Sequence, residues 1–177
     1  AYLVKYDEAE KLDGAAVAKL LAKAKSDIEA IEGKTFDLVF CGKESTDYAA
    51  SQTGLLLAAE LNVPAVANVV AVEAADGKAT IKQETETGYN EIEAYLPCVV
   101  TIQKPNYDPR YPTIKSKMAA RKKPIGELVT GDVPASSMEV VKVYAPAKRQ
   151  AGVKIKAESP EEAVANAMKL IADAKVL

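Results

Sequence analysis

The stretch FDLVFCGKESTDYAASQTGLLLAAEL, residues 36–61, restricts the fold more than any other part of the chain. Residues 36–41 are almost continuously apolar, as in a strand covered by helices on both sides. Residues 51–61 have helical composition and stop ahead of Pro64, a residue a helix does not easily run into. Strand, loop and helix in direct succession form the unit of a mostly parallel α/β sheet. The loop between them falls at the carboxyl end of a strand and the amino terminus of a helix. Unpaired N–H groups and the positive end of the helix dipole stabilise an anion there. Gly42 allows close backbone approach, Lys43 can add charge, and Ser45, Thr46, Ser51, Gln52 and Thr53 can donate to phosphate or ribose oxygens. Glu44 and Asp47 would repel a phosphate, so they are expected to face ribose hydroxyls, the helix start or water. The plain alternative is a polar loop with Asp47 or Ser51 as helix cap, because the segment is neither a Walker loop nor a GxGxxG turn.

Elsewhere the pattern extends the α/β reading. Asp13 can cap a helix carrying Val17, Leu20, Leu21, Ala24, Ile28 and Ile31 at helical spacing, and Gly33 stops it. AVANVVAVEA and KATIKQETET flank Asp76-Gly77, a hairpin turn that favours positive φ. Gly88 marks a second reversal, NEIEAYL alternates, and PCVVTIQ reads as another buried strand. KPNYDPRYPTIKSKMAARKKPI holds Pro105, Pro109, Pro112 and Pro124 and is basic from Arg110 to Lys123, predicting an exposed loop that enters a short helix. MEVVKVYAP predicts one more strand, and KRQAGVKIKAE lacks a core pattern. In SPEEAVANAMKLIADAKVL, Ser159 caps, Pro160 takes the first helical position and Glu162 completes a capping box. Val164, Ala167, Met168 and Ile171 form its apolar stripe, which fits either its own domain or a partner chain. The expected organisation is an α/β domain over 1–146 and an arm with a helix over 147–177.

Composition narrows the chemistry. Lys and Arg number 23 against 25 Asp and Glu, so no overall basic field exists for nucleic acid or anionic lipid. No apolar run approaches the roughly 18 residues of a membrane span, and the reading is a soluble, intracellular chain without stable membrane insertion. Histidine is absent and there are 2 cysteines, Cys41 and Cys98, at the ends of apolar runs. That removes the commonest general base and the familiar hydrolytic triads, leaves no zinc set, and implies no disulfide framework.

Taken in order, GKESTDYAASQTG, ELNVPAVANVVAVE, LPCVVTIQ and PRYPTIKSKMAARKKPI resemble the beta (small) subunit of electron-transfer flavoproteins, over nearly the whole chain. The resemblance implies a mostly parallel α/β fold with helices on both faces of the sheet, Rossmann-like and similar to adenine-nucleotide alpha hydrolases. An antiparallel hairpin flap and a C-terminal helical arm complete it. It further implies an electron carrier without catalytic residues of its own, in the cytoplasm or the mitochondrial matrix. Such a subunit pairs with an alpha subunit, shares an FAD with it, binds AMP and meets a flavin-containing dehydrogenase.

Carried over, Cys41, Gly42 and Ser45 contact the adenosine, and Ser51, Gln52 and Thr53 the phosphate, with Lys43 and Asp47 in the same cradle. The family often has Asn at the place of Ser51. Ile114 takes the place of an apolar anchor for the dehydrogenase, beside Arg110, Tyr111, Lys115 and Met118, and Lys117, Arg121, Lys122 and Lys123 steer an acidic partner. Members of the family begin roughly eighty residues earlier, and without their first strands the sheet keeps an open edge. The DGG-like turn of the family is TGYNEIEAYL here. Three other readings stand beside this one: a bifurcating subunit with a second FAD in the AMP site, a stand-alone adenine-nucleotide sensor or hydrolase, and a structural subunit with an empty loop. Relatives with a second FAD carry a DGDTAQVGP-like stretch, whereas this chain has TDYAASQTGLL.

Overall fold

The structure, a computed structural model, describes residues 1–6, 11–104, 107–129, 131–132, 135–149 and 151–175. Pro105 of the basic loop lies outside them. The elements run β1 (Tyr2–Val4), α1 (Gly14–Glu32), β2 (Leu38–Gly42), α2 (Thr53–Leu61), β3 (Ala65–Ala75), β4 (Lys78–Thr85), β5 (Gly88–Tyr95), β6 (Cys98–Ile102), α3 (Ile114–Arg121), β7 (Gly126–Leu128) and α4 (Pro160–Asp173). Two compact units divide them, Ala1–Glu139 and Val140–Leu177.

In the first unit, five strands pair in the order β2-β6-β3-β4-β5. The β2–β6 and β3–β6 pairs are parallel, while β3–β4 and β4–β5 are antiparallel. With the parallel β1–β7 pair, the fold is α/β and mostly parallel, with the antiparallel flap that the Asp76-Gly77 turn predicts. Both turn residues have positive φ, 50° and 77°, as a two-residue hairpin requires.

Helix α1 begins where expected: the Asp13 carboxylate accepts from Ala16 N–H at 2.8 Å, and Gly33, at φ 66°, ends it. Its packed face is narrower than the sequence predicts. Ala16, Ala18 and Ala24 are buried, whereas Leu21 is 39% and Ile31 60% exposed. Glu29 joins the end of α1 to the approach of β2 by accepting from Phe36 N–H at 2.7 Å.

The main apolar cluster comprises Val66, Val69, Ala79, Ile81, Ala94, Cys98 and Val100, all from β3 to β6. Register shifts between Val66 and Val69 and between Val69 and Ala71 interrupt β3. Such irregularities bend a strand and increase its twist. The other face of β6 is covered by α2. Edge strand β2 is less buried than its composition predicts: Phe40 is 58% exposed and borders an apolar hollow of about 500 Å³ with Val70, Val72, Lys82, Ile102 and Tyr107.

One expectation is corrected. Residues 138–146 form no strand, and Val140, Val141 and Val143 are 76%, 91% and 87% exposed. β-branched composition makes a strand only where a neighbour supplies hydrogen bonds. Conversely, the short strands β1 and β7 were not foreseen. They pair Tyr2 with Gly126, whose N–H donates to Ala1 O at 2.9 Å.

In the second unit, Ser159 caps α4, accepting from Glu162 N–H at 3.2 Å. The return bond of the capping box is displaced by one residue, from Glu158 N–H to the Glu162 carboxylate at 3.3 Å. Val164, Met168 and Leu170 are 62%, 51% and 47% exposed.

Candidate functional site

The strand-loop-helix is built as the sequence predicts, with the helix starting two residues later. β2 pairs with β6 in parallel from Leu38 opposite Cys98 to Gly42 opposite Ile102, and Lys43 N–H extends the ladder by donating to Ile102 O at 3.0 Å. The chain then leaves the sheet and closes a compact loop. Ala49 N–H donates to Ser45 O at 2.9 Å and Tyr48 N–H to Ser45 Oγ at 3.3 Å. The Ser51 hydroxyl donates to the Glu44 carboxylate. Ala49 and Ser51 hold φ of 46° and 51°, a region unfavourable for residues with a Cβ. Ser51 therefore stands outside the helix, and α2 runs from Thr53.

Neither Asp47 nor Ser51 caps that helix. Its cap position is Gln52, whose side chain makes no capping bond and lies instead against Gly14 at the start of α1. Among the described residues, the first-turn N–H groups of α2 thus lack the side-chain acceptor that Asp13 gives α1, and this turn is suited to an external anion. Cys41, Gly42 and Lys43 at the strand end, and Ser51, Gln52 and Thr53 at the helix start, flank one loop. Ser45 and Asp47 lie on the loop between them, both exposed. The hydroxyls of Ser45 and Ser51 are engaged within the loop. Glu44, read as a phosphate-repelling group, is held by Ser51.

Cys41 is half-buried, and burial pushes its thiol pKa up, as it does for Cys98. A thiol held protonated is a packing group and a poor nucleophile. Two residues that sequence reasoning passed over also shape the site. Gly54 is buried against Cys41 and Thr101, and Thr101 is 3% exposed. A hydroxyl residue inside the apolar run of β6 was the available signal.

The second cluster lies on α3. Thr113 caps it, accepting from Ser116 N–H at 3.2 Å. Tyr111 and Ile114 are 83% and 81% exposed and Met118 is 58% exposed, so Ile114 is not a core residue. Ile114, Lys115, Met118, Ala119 and Lys122 line an open hollow of about 590 Å³. Arg110, Lys117, Arg121 and Lys123 are exposed as well. Among the described residues, no helix is long and apolar enough to cross a membrane.

Comparison with known proteins places the chain in a family. The profile of the electron transfer flavoprotein domain matches residues 1–132. The electron transfer flavoprotein subunit beta of Megasphaera elsdenii is 31% identical over 172 residues, covering 92% of this chain and 64% of the relative. That of Syntrophomonas wolfei is 35% identical over 137 residues, covering 77% and 54%. The human subunit beta is 34% identical over 161 residues, covering 89% and 60%. The chain thus spans between 54% and 64% of the length of these relatives.

Proposed function

The chain belongs to the electron transfer flavoprotein family, on the beta-subunit side, and we propose that it holds an AMP at the start of α2 within an FAD-carrying heterodimer. The uncapped first turn of α2, set at the carboxyl end of β2, carries this reading. An AMP phosphate supplies the acceptor that the turn lacks, and Thr53 adds a hydroxyl donor. Cys41, Gly42 and Lys43 border the adenosine side, with Ser45 and Asp47 on the loop above. Ser51 shapes the loop through Glu44 rather than by a free hydroxyl, and Gln52 reaches the ligand by its backbone.

The partner chain is an electron-transfer flavoprotein alpha subunit, and FAD, shared with it, supplies the redox chemistry when bound. The part played by this chain is to bind and orient, with no proton-transfer residue required. Docking of a flavin-containing dehydrogenase falls to α3. Ile114 is the apolar anchor, flanked by Tyr111 and Met118, and Arg110, Lys115 and the neighbouring cations steer an acidic surface.

The test is to denature the native assembly and separate the released small molecules by chromatography. One AMP and one FAD per heterodimer is the expected result. Two FADs would assign the site to a second flavin, and release of no nucleotide would leave the loop structural.

A further inference from the structure

Gly54 occupies the second position of α2 and is buried where the helix meets the sheet. A Cβ there would lie 2.6 Å from Thr101 Cγ2, 3.0 Å from Cys41 Cβ and 3.6 Å from Cys41 Sγ. Cys41 and Thr101 are register partners on β2 and β6, so paired side chains of the two parallel strands present one surface to the helix. The helix backbone rests on that surface with no side chain between. Thr101 is 3% exposed, which leaves its methyl no open space to turn into. Glycine is otherwise a poor helix residue. Its place in this turn follows from the closeness of the approach.

We infer that Gly54 and Thr101 are a matched pair that sets how deeply the first turn of α2 sits against the ends of β2 and β6, making Gly54 a positioning residue for the AMP cradle. The inference rests on the adenylate reading above. A methyl at residue 54 forces the turn away from the strands and carries with it the amides of residues 53–55, which face the phosphate. Propensity and geometry oppose each other in sign here. An unobstructed Gly→Ala change in a helix is favourable, whereas this one meets a buried neighbour inside van der Waals contact.

The experiment compares the native assembly with Gly54→Ala, Thr101→Ser and the double variant, reading AMP and FAD released per heterodimer. Thr101→Ser keeps the hydroxyl and removes the obstructing methyl. Gly54→Ala is expected to retain about tenfold less AMP, and the double variant to return to within about twofold of the wild type. Thr101→Ser alone is expected to retain more AMP than Gly54→Ala, and FAD is unchanged throughout. AMP at the wild-type level in Gly54→Ala would overturn the inference, as would a double variant that is not rescued, or FAD lost in parallel with AMP. If Gly54→Ala does not accumulate as folded protein, the double variant decides: recovery with AMP supports the pair, and failure rejects it. A wild-type assembly without AMP would instead remove the adenylate reading, and the positioning role with it.

Discussion

Thr53 and Asp13 each stand at the start of a helix, and the difference between them is informative. Asp13 satisfies the first turn of α1 internally, accepting from Ala16 N–H at 2.8 Å and from Ser137 N–H at 2.6 Å. Thr53 opens α2 with no such partner behind it. Thr53→Val preserves shape and removes one donor. If that hydroxyl bonds a phosphate, the loss corresponds to about tenfold weaker AMP binding. The check is titration of nucleotide-stripped protein, together with melting in the presence and absence of AMP. Added AMP should raise the melting temperature of the wild type more than that of the variant. Equal affinities and equal shifts would remove Thr53 from the site. Asp13 predicts a pH effect. The backbone N–H of Ala16 first, and that of Ser137 next, hold its pKa below the ordinary carboxylate value. Its folded pKa is depressed, so the stabilisation is complete above the unfolded value, near about 3.9, and is lost as pH falls through the lower folded value. Asp13→Asn keeps a capping oxygen and removes the charge. It should flatten the acid limb of a melting-temperature profile, and parallel wild-type and variant curves below pH ~5 would refute the assignment. The cap on Ala16 was legible because it is local. The bond to Ser137 was not, since it spans 124 positions.

The same division by sequence distance explains which elements could be read. The hairpin of β3 and β4 followed from Asp-Gly between alternating apolar runs, and α1, α2 and α4 from their stop and start signals, all short-range. β1 and β7 have three residues each and find each other across more than a hundred positions, so neither has a periodic signature. The candidate site was read as far as its loop. What the sequence left open was how Ser51, Glu44 and Gln52 spend their polar groups, because that depends on two positive-φ residues and on the neighbouring Gly14. Helix α3 carries a prediction of its own. It has no buried residue, and Ile114 is 81% exposed, so a change there costs the fold little. Ile114→Ala should slow electron transfer from the dehydrogenase about tenfold or more while melting and AMP content stay at wild-type values. Because the surrounding side chains are cationic, the wild-type rate should also fall as ionic strength rises. Stopped-flow reduction over a salt series measures both. Unchanged kinetics in Ile114→Ala would reject the anchor, and a salt-independent rate would reject electrostatic steering.

Depth within the sheet gives an order of stability for the whole chain. β6 is paired on both sides, by β2 and β3. Cys98, Val99, Val100 and Thr101 are nearly inaccessible, with Val99 N–H donating to Pro64 O at 2.9 Å and Gln103 N–H to Val69 O at 2.9 Å. β2 and β5 are sheet edges, and β2 presents Phe40 to solvent on its uncovered face. In the second unit α4 has no buried residue, and residues 140–146 have no regular structure. Local opening requires little free energy where few apolar contacts are broken, and approaches the cost of global unfolding in a core strand. Amide exchange of the isolated chain should therefore be slowest in β6 and the adjoining part of β3, intermediate in β2, and fastest in residues 138–149 and 151–158. A bound AMP adds protection only where it touches or where it suppresses an opening. Saturating AMP should slow exchange in residues 53–55 and at the end of β2, and leave β5 and α4 unchanged. Hydrogen exchange read by mass spectrometry resolves these segments. Exchange in β6 as fast as in β5 would show that the parallel strands are not the stable core, and AMP protection spread evenly over all strands would show that the ligand acts on global stability without a local seat at α2.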